Sequence, residues 1–216
     1  MRPGDDLPEL LGDAVERAGG LEDGDVLVVA QKAVSKAEGR VEETDDVAAT
    51  ILREARAVRR QRGDLVIAET KHGFVCASAG VDRSNTPGAG WIVLLPEDPD
   101  ASAGLIRSRL AQRFGLAPAV IVSDSFGRAW RQGTTDVAIG VAGMRPLLDL
   151  RGTRDSRGYE LASTVIAVAD ELAGAAELVM GKANGIPAAL VRGYEVPPGD
   201  GSAQELVMPP DRDLFP

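Results

Sequence analysis

The chain has 216 residues, of which 44% are hydrophobic, enough to bury a real core as one large domain or two intimate ones. Its net charge of -9 and pI near 4.7 argue against nucleic acid as the main partner, although a local basic cluster remains compatible with a small phosphorylated ligand. One cysteine, Cys76, excludes an internal disulfide, and the single histidine, His72, leaves no Cys/His array for structural zinc and disfavours a catalytic triad. No stretch has the form of a signal peptide, and no apolar run approaches the roughly 20 residues that span a bilayer. The expectation is a cytoplasmic protein with no membrane segment.

Leu7 to Gly19 carries Leu7, Leu10, Leu11, Ala14 and Val15 at helical spacing, with Asp5 or Asp6 as the cap. Val26 to Ala30 is a continuous apolar strand of the kind buried on both faces. Directly after it, Gln31 to Arg40 brings two lysines, a hydroxyl and an arginine, which suits phosphates as well as it suits a solvated turn. Thr44 to Arg62 reads as a polar helix capped by Thr44, its basic end complementing the helix dipole. Asp64–Glu69 and Gly73–Ala77 read as two strands, with Cys76 buried and inert and His72 solvated in the turn between them.

Asp82, Ser84 and Asn85 follow Gly80, supplying oxygen ligands and hydrogen bonds where backbone can approach closely; an Asx-type turn has the same composition. Trp91–Leu95 is another apolar run, and Ala101–Phe114 a helix with Ala101, Leu105, Ile106, Leu110 and Phe114 inward. Val120 to Ser123 then forms a buried strand that delivers Asp124 and Ser125 to its end, ahead of a cationic, glycine-punctuated loop from Phe126 to Gly133. A carboxylate and a hydroxyl at a strand end, followed by guanidinium groups, suit a metal and phosphates.

Val137–Ala142 reads as a strand whose glycine marks crowding by neighbouring backbone. Leu161–Met180 is the longest helical pattern, with Asp170, Glu171 and Glu177 marking its outer face, and a glycine-rich cap precedes the strand Ala188–Arg192. From Pro197 to Pro216 the composition is that of an extended arm or a loose end, leaving 1–196 as the main domain. The mixed order of elements gives an α+β class, and neither a P-loop nor a Rossmann glycine pattern is present. If Gln31–Lys36, Asp82–Asn85 and Asp124–Arg131 converge, the inventory is that of a phosphoryl-transfer site, with Asp82 and Asp124 holding Mg²⁺ or Mn²⁺.

The segments Gln31–Arg40, Ala79–Asn85, Ser123–Arg128 and Ala167–Leu172, in this order, resemble the coenzyme F420-0:γ-glutamyl ligase family from about Arg2 to Gly193. The resemblance implies an intertwined homodimer of mixed sheets and helices. It implies GTP-dependent addition of L-glutamate to the deazaflavin F420-0, with further γ-linked glutamates as an extension, using Mg²⁺ or Mn²⁺ and K⁺. By the same resemblance, Gln31, Lys32, Lys36 and Asn85 contact GTP. The run Met180, Gly181, Lys182, Ala183, Asn184, Gly185, Ile186 and Pro187 completes the nucleotide pocket. Asp82, Asp124 and Ser125 hold the metals, with Ser125 where the family places threonine.

The resemblance further implies that Lys36, Asp82 and Asp124 carry the catalysis, while Arg128 or Arg131 is assigned from its charge to orienting a substrate carboxylate or phosphate. Two departures stand out. The family's N-terminal strand, which helps hold GTP, is expected just ahead of Met1 and is missing from the sequence, and Lys182 stands where some relatives have a side-chain metal ligand. A protein that holds F420 or a nucleotide without turnover, and a generic metal-dependent phosphatase, are the competing readings.

Overall fold

The unbroken apolar run Val26–Ala30 forms β1, and Val26, Val28 and Val29 are fully buried, as a strand covered on both faces requires. In the computed structural model, which describes residues 1–214, β1 lies inside a four-stranded sheet. It runs parallel to β7 (Ala119–Arg128) on one side and antiparallel to β11 (Ala188–Val191) on the other. β8 (Arg131–Ala142) extends the sheet beyond β7.

Helix α1 (Leu7–Arg17) is capped by Asp6, whose carboxylate accepts from Glu9 N at 3.1 Å. It packs against α4 (Pro99–Phe114), which with α5 (Val168–Met180) covers β7 and β8. Arg113, in the last turn of α4, ties that helix to α1 through Glu9 and Asp13 at 3.1 and 2.8 Å. Leu10 and Leu105, expected inward from their spacing, are exposed instead, because the α1–α4 contact uses the neighbouring stripe of Leu7, Leu11 and Ile106.

Smaller sheets surround this core: β2 (Val41–Glu43) with β6 (Trp91–Val93), a three-stranded sheet of β3 (Ala55–Arg62), β4 (Leu65–Thr70) and β5 (Val75–Ala77), and β9 (Leu148–Asp149) with β10 (Val165–Ile166). The architecture is mixed α+β, with several open sheets and, among the described residues, no closed barrel.

Four expectations are corrected. The helix expected over residues 44–62 is only α3 (Val47–Glu54), capped by Asp46 rather than Thr44. The chain then turns into β3 (Ala55–Arg62), because pairing with β4 (Leu65–Thr70) gives Arg56 and Arg59 a shared cross-strand partner, Glu69, at 3.1 and 2.6 Å. Tertiary pairing overrides the local helical preference. The last helix begins at Val168 rather than Leu161, since Val165 and Ile166 are drawn into β10.

The loop expected from Phe126 to Gly133 is the end of a long hairpin: β7 continues to Arg128, and β8 starts at Arg131. His72 is not solvated; its Nε2 lies 2.9 Å from the Pro96 carbonyl, and its ring stacks on Phe74. Cys76, in β5 (Val75–Ala77), is buried as expected, and burial pushes its thiol up to about 12.

Gly140 is the crowded strand glycine: a Cβ there would lie 2.3 Å from the Pro99 carbonyl oxygen. The segment after Pro197 is an arm laid on the domain rather than a loose end. Ala203 is fully buried, Ser202 Oγ donates to Asp100 Oδ2 at 2.6 Å, and the other Asp100 oxygen accepts from Val141 N of β8. Residues 215–216 of the expected arm lie outside the described residues.

Candidate functional site

The parallel pairing of β1 and β7 sets the site. Ala30, the last residue of β1, lies opposite Ser123, so Gln31-Lys32, just past the carboxyl end of β1, stand beside Asp124-Ser125 in the middle of β7. Gln31 does not enter a turn as one reading had it; it opens the short helix α2 (Gln31–Ala37), which carries Lys32 and Lys36 along one side of the crevice. On the other flank of β1, Ala30 N donates to Pro187 O at 2.9 Å, which draws the segment after α5 into the same place.

The result is a cavity of about 380 Å³ that brings together Gln31, Lys32, Lys36, Asn85, Asp124 and Ser125. Met180, Gly181, Lys182, Ala183, Gly185, Ile186 and Pro187 complete its wall. Parts of all three expected segments therefore meet here: Gln31, Lys32 and Lys36 of the first, Asn85 of the second, and Asp124 and Ser125 of the third. Asp82 is outside the lining but ion-paired to the lining residue Lys32, whose Nζ is 2.6 Å from its carboxylate, and Lys36 Nζ donates to the Asn85 carbonyl at 2.5 Å.

Three expected residues lie elsewhere. Asn184 turns back toward Gly181 and is outside the lining, while Arg128 and Arg131 face each other at the far end of the β7–β8 hairpin. Asp124 and Ser125 are not at a strand end either; β7 carries them in mid-strand.

Two carboxylates went unread in the sequence. Asp136, opposite Ser125 on β8, is 4% exposed and accepts from Ser123 Oγ at 2.8 Å and Ser125 Oγ at 2.6 Å. The Ser-x-Ser alternation of β7 was a usable signal, since it places two hydroxyls on one face that needs an acceptor. Glu177, expected on the outer face of the last helix, lines the cavity from the final turn of α5, and Asp170 is turned inward to accept from Ala138 N at 2.9 Å.

Charge in this cavity is finely opposed. Burial pushes the Asp124 carboxyl up to about 6, against the pull of Lys32, the Ser125 N–H and Lys182. Burial also works to raise Asp82, but the Lys32 ammonium and the Ser84 N–H outweigh it and hold Asp82 below its ordinary value. Glu177 is raised by burial and by the charge of Asp136, and Lys36 is lowered by burial and by Lys32.

Gln31 is 1% exposed; its Oε1 accepts from Ser35 Oγ at 2.8 Å, while its Nε2 is buried without a partner. Hard oxygens beside ammoniums and a free amide donor suit an anion held with a divalent cation. Among the described residues no group of three or more His, Cys, Asp or Glu is arranged to hold a metal by itself. The donor set therefore fits the Mg²⁺ type of site, in which one or two carboxylates act together with waters and substrate phosphates.

Lysines oppose carboxylates where β1 ends and β7 passes in mid-strand, an arrangement that suits an anion held with a divalent cation. The model of the F420-0:Gamma-glutamyl ligase family matches residues 1–193. Relatives named coenzyme F420:L-glutamate ligase are 43% identical in Methanopyrus kandleri, over all of this chain and 93% of that protein, and 41% identical in Methanothermobacter thermautotrophicus, over 98% and 93%. A third, from Methanocaldococcus jannaschii, is 41% identical over 90% of this chain and 86% of its own length. The chain belongs to the F420-0:γ-glutamyl ligase family. No helix among the described residues is long and apolar enough to cross a membrane.

Proposed function

We propose that this protein joins L-glutamate to coenzyme F420-0 at the expense of GTP, through an acyl phosphate, in the cytoplasm and as a homodimer. The observation that carries the reading is the meeting of Lys32 and Lys36, just past the carboxyl end of β1, with Asp124 of β7 and with Asp82, the ion-pair partner of Lys32. The family membership and the names of the relatives support the acceptor and the amino acid.

In this reading the terminal carboxylate of F420-0 attacks the γ-phosphoryl group of GTP, GDP leaves, and the glutamate amine displaces phosphate from the activated carbonyl. Lys36 and Lys32 offset charge on the phosphoryl oxygens, where positioning and neutralisation supply most of the catalysis. The buried Gln31 Nε2 donates to a phosphate oxygen, which gives that amide the partner it lacks among protein groups.

Asp82 and Asp124 would hold Mg²⁺ or Mn²⁺, which would supply Lewis-acid polarisation of the phosphoryl oxygens. K⁺ dependence belongs to the same reading and is checked by exchanging K⁺ for Na⁺ in the assay. Exposed apolar side chains on α5, Leu178 at 88% and Val179 at 65%, favour association of two copies.

Incubation with F420-0, GTP, Mn²⁺ and glutamate, followed by mass spectrometry, tests the function. A product heavier by one glutamyl unit with equimolar GDP is expected. Binding of F420-0 or GTP without product would leave a non-catalytic binder, and phosphate release without glutamylation would favour a phosphatase.

A further inference from the structure

The cavity holds more negative charge than the sequence motifs account for, since Asp136 and Glu177 join Asp124 in its lining and Asp82 stands behind Lys32. Two of the three lysines have fixed tasks: Lys32 is paired with Asp82, and Lys36 is held on the Asn85 carbonyl. Lys182 differs. It comes from the exposed segment that follows α5, and its Nζ reaches back to donate to Ser125 Oγ at 3.2 Å.

That hydroxyl is oriented before any ligand arrives. Its own proton goes to Asp136 Oδ1 at 2.6 Å, so only its lone pairs are left for the cavity. A fixed oxygen lone pair with carboxylates around it is a setting that selects a cation. Here the cation is an ammonium of the chain itself. Its charge also reaches Asp124 and Glu177, opposing the burial that raises both.

We propose that Lys182 is a resident cation of this site, its ammonium taking the position beside Ser125 and Glu177 that a second divalent ion would need. The chain then binds one divalent ion with its nucleotide, at Asp82 and Asp124, and not two. An ammonium and a divalent ion exclude each other there, because both need the same Ser125 lone pairs and their charges repel. The inference rests on the phosphoryl-transfer reading above.

The test is a count of bound Mn²⁺ by electron paramagnetic resonance, on protein saturated with a non-hydrolysable GTP analogue. No F420-0 is present, so failure to glutamylate would sink the proposed function without touching the count. The native chain is expected to bind one Mn²⁺. Lys182→Gln puts an amide carbonyl where the ammonium was and is expected to bind two. Because Lys182 is exposed, the variant should melt with the native protein, which a thermal scan verifies. Two Mn²⁺ on the native chain, no Mn²⁺ at all, or an unchanged count of one in the folded variant would each overturn the inference.

Discussion

Replacing Asp124 by asparagine keeps the shape of the side chain and removes its charge. In the metal-free protein that charge costs stability, because burial pushes the carboxyl up to about 6 from an ordinary 3.8. The pKa is raised on folding, so the group's stabilising share is complete below about pH 3.8 and is lost as pH rises through about 6. A shift of roughly two units, at about 1.36 kcal/mol each, sets a ceiling of about 3 kcal/mol at pH 8.

Asp124→Asn should therefore be more stable than the native protein at pH 8, by up to roughly 6–12 °C in melting temperature for a chain of this size. The assay is denaturant unfolding of both proteins in EDTA from pH 4 to pH 8. The advantage of the variant should shrink as pH falls through the 4–6 window. The same variant should lose Mn²⁺ binding and glutamylation. An asparagine variant no more stable at pH 8, or a difference that ignores pH, would refute the picture of a desolvated carboxylate awaiting a cation.

Lys36→Met should weaken binding of a fluorescent GTP analogue about 10- to 100-fold, the loss of one charge-assisted hydrogen bond, with little change in melting temperature. Gly140→Ala should destabilise by about 1–3 kcal/mol in urea unfolding, since the Pro99 backbone at 2.3 Å must move to admit the methyl group. Asp136→Ala removes the acceptor of two seryl hydroxyls and should cost about 1–3 kcal/mol by the same measurement, while Asp136→Asn retains an acceptor and should cost less. Truncation after Val196 should lower the melting temperature, because Asp100 loses Ser202 and Ala203 as partners and the surface under Ala203 is exposed to water.

The buried strands were plain in the sequence because nothing but a two-faced sheet tolerates runs such as Val26–Ala30 and Val120–Val122. The polar segments that follow them could be read as ligand-binding, and their convergence follows from the parallel register of β1 and β7. What stayed hidden depended on pairing between distant residues. Asp136 has no motif of its own and acquires meaning only once β8 sets it opposite Ser125.

Glu177 looked like a surface charge until the turn at Gly181 closed the end of α5 over the cavity. The hairpin end was misread for a local reason. Glycines at positions 127 and 133 suggested a loop, whereas the chain reverses at Ala129-Trp130, with Trp130 at φ 54, a left-handed position that usually falls to glycine or asparagine. That reversal carries Arg128 and Arg131 away from the cavity lining.

Activation of a carboxylate by phosphorylation from GTP leaves an isotopic record. F420-0 with heavy oxygen in its terminal carboxylate, turned over with GTP, Mn²⁺ and glutamate, tests it most directly. The acyl-phosphate route moves one labelled oxygen into the released inorganic phosphate, so that label is expected in every turnover. Phosphate that carries no label beside a glutamylated product would contradict it.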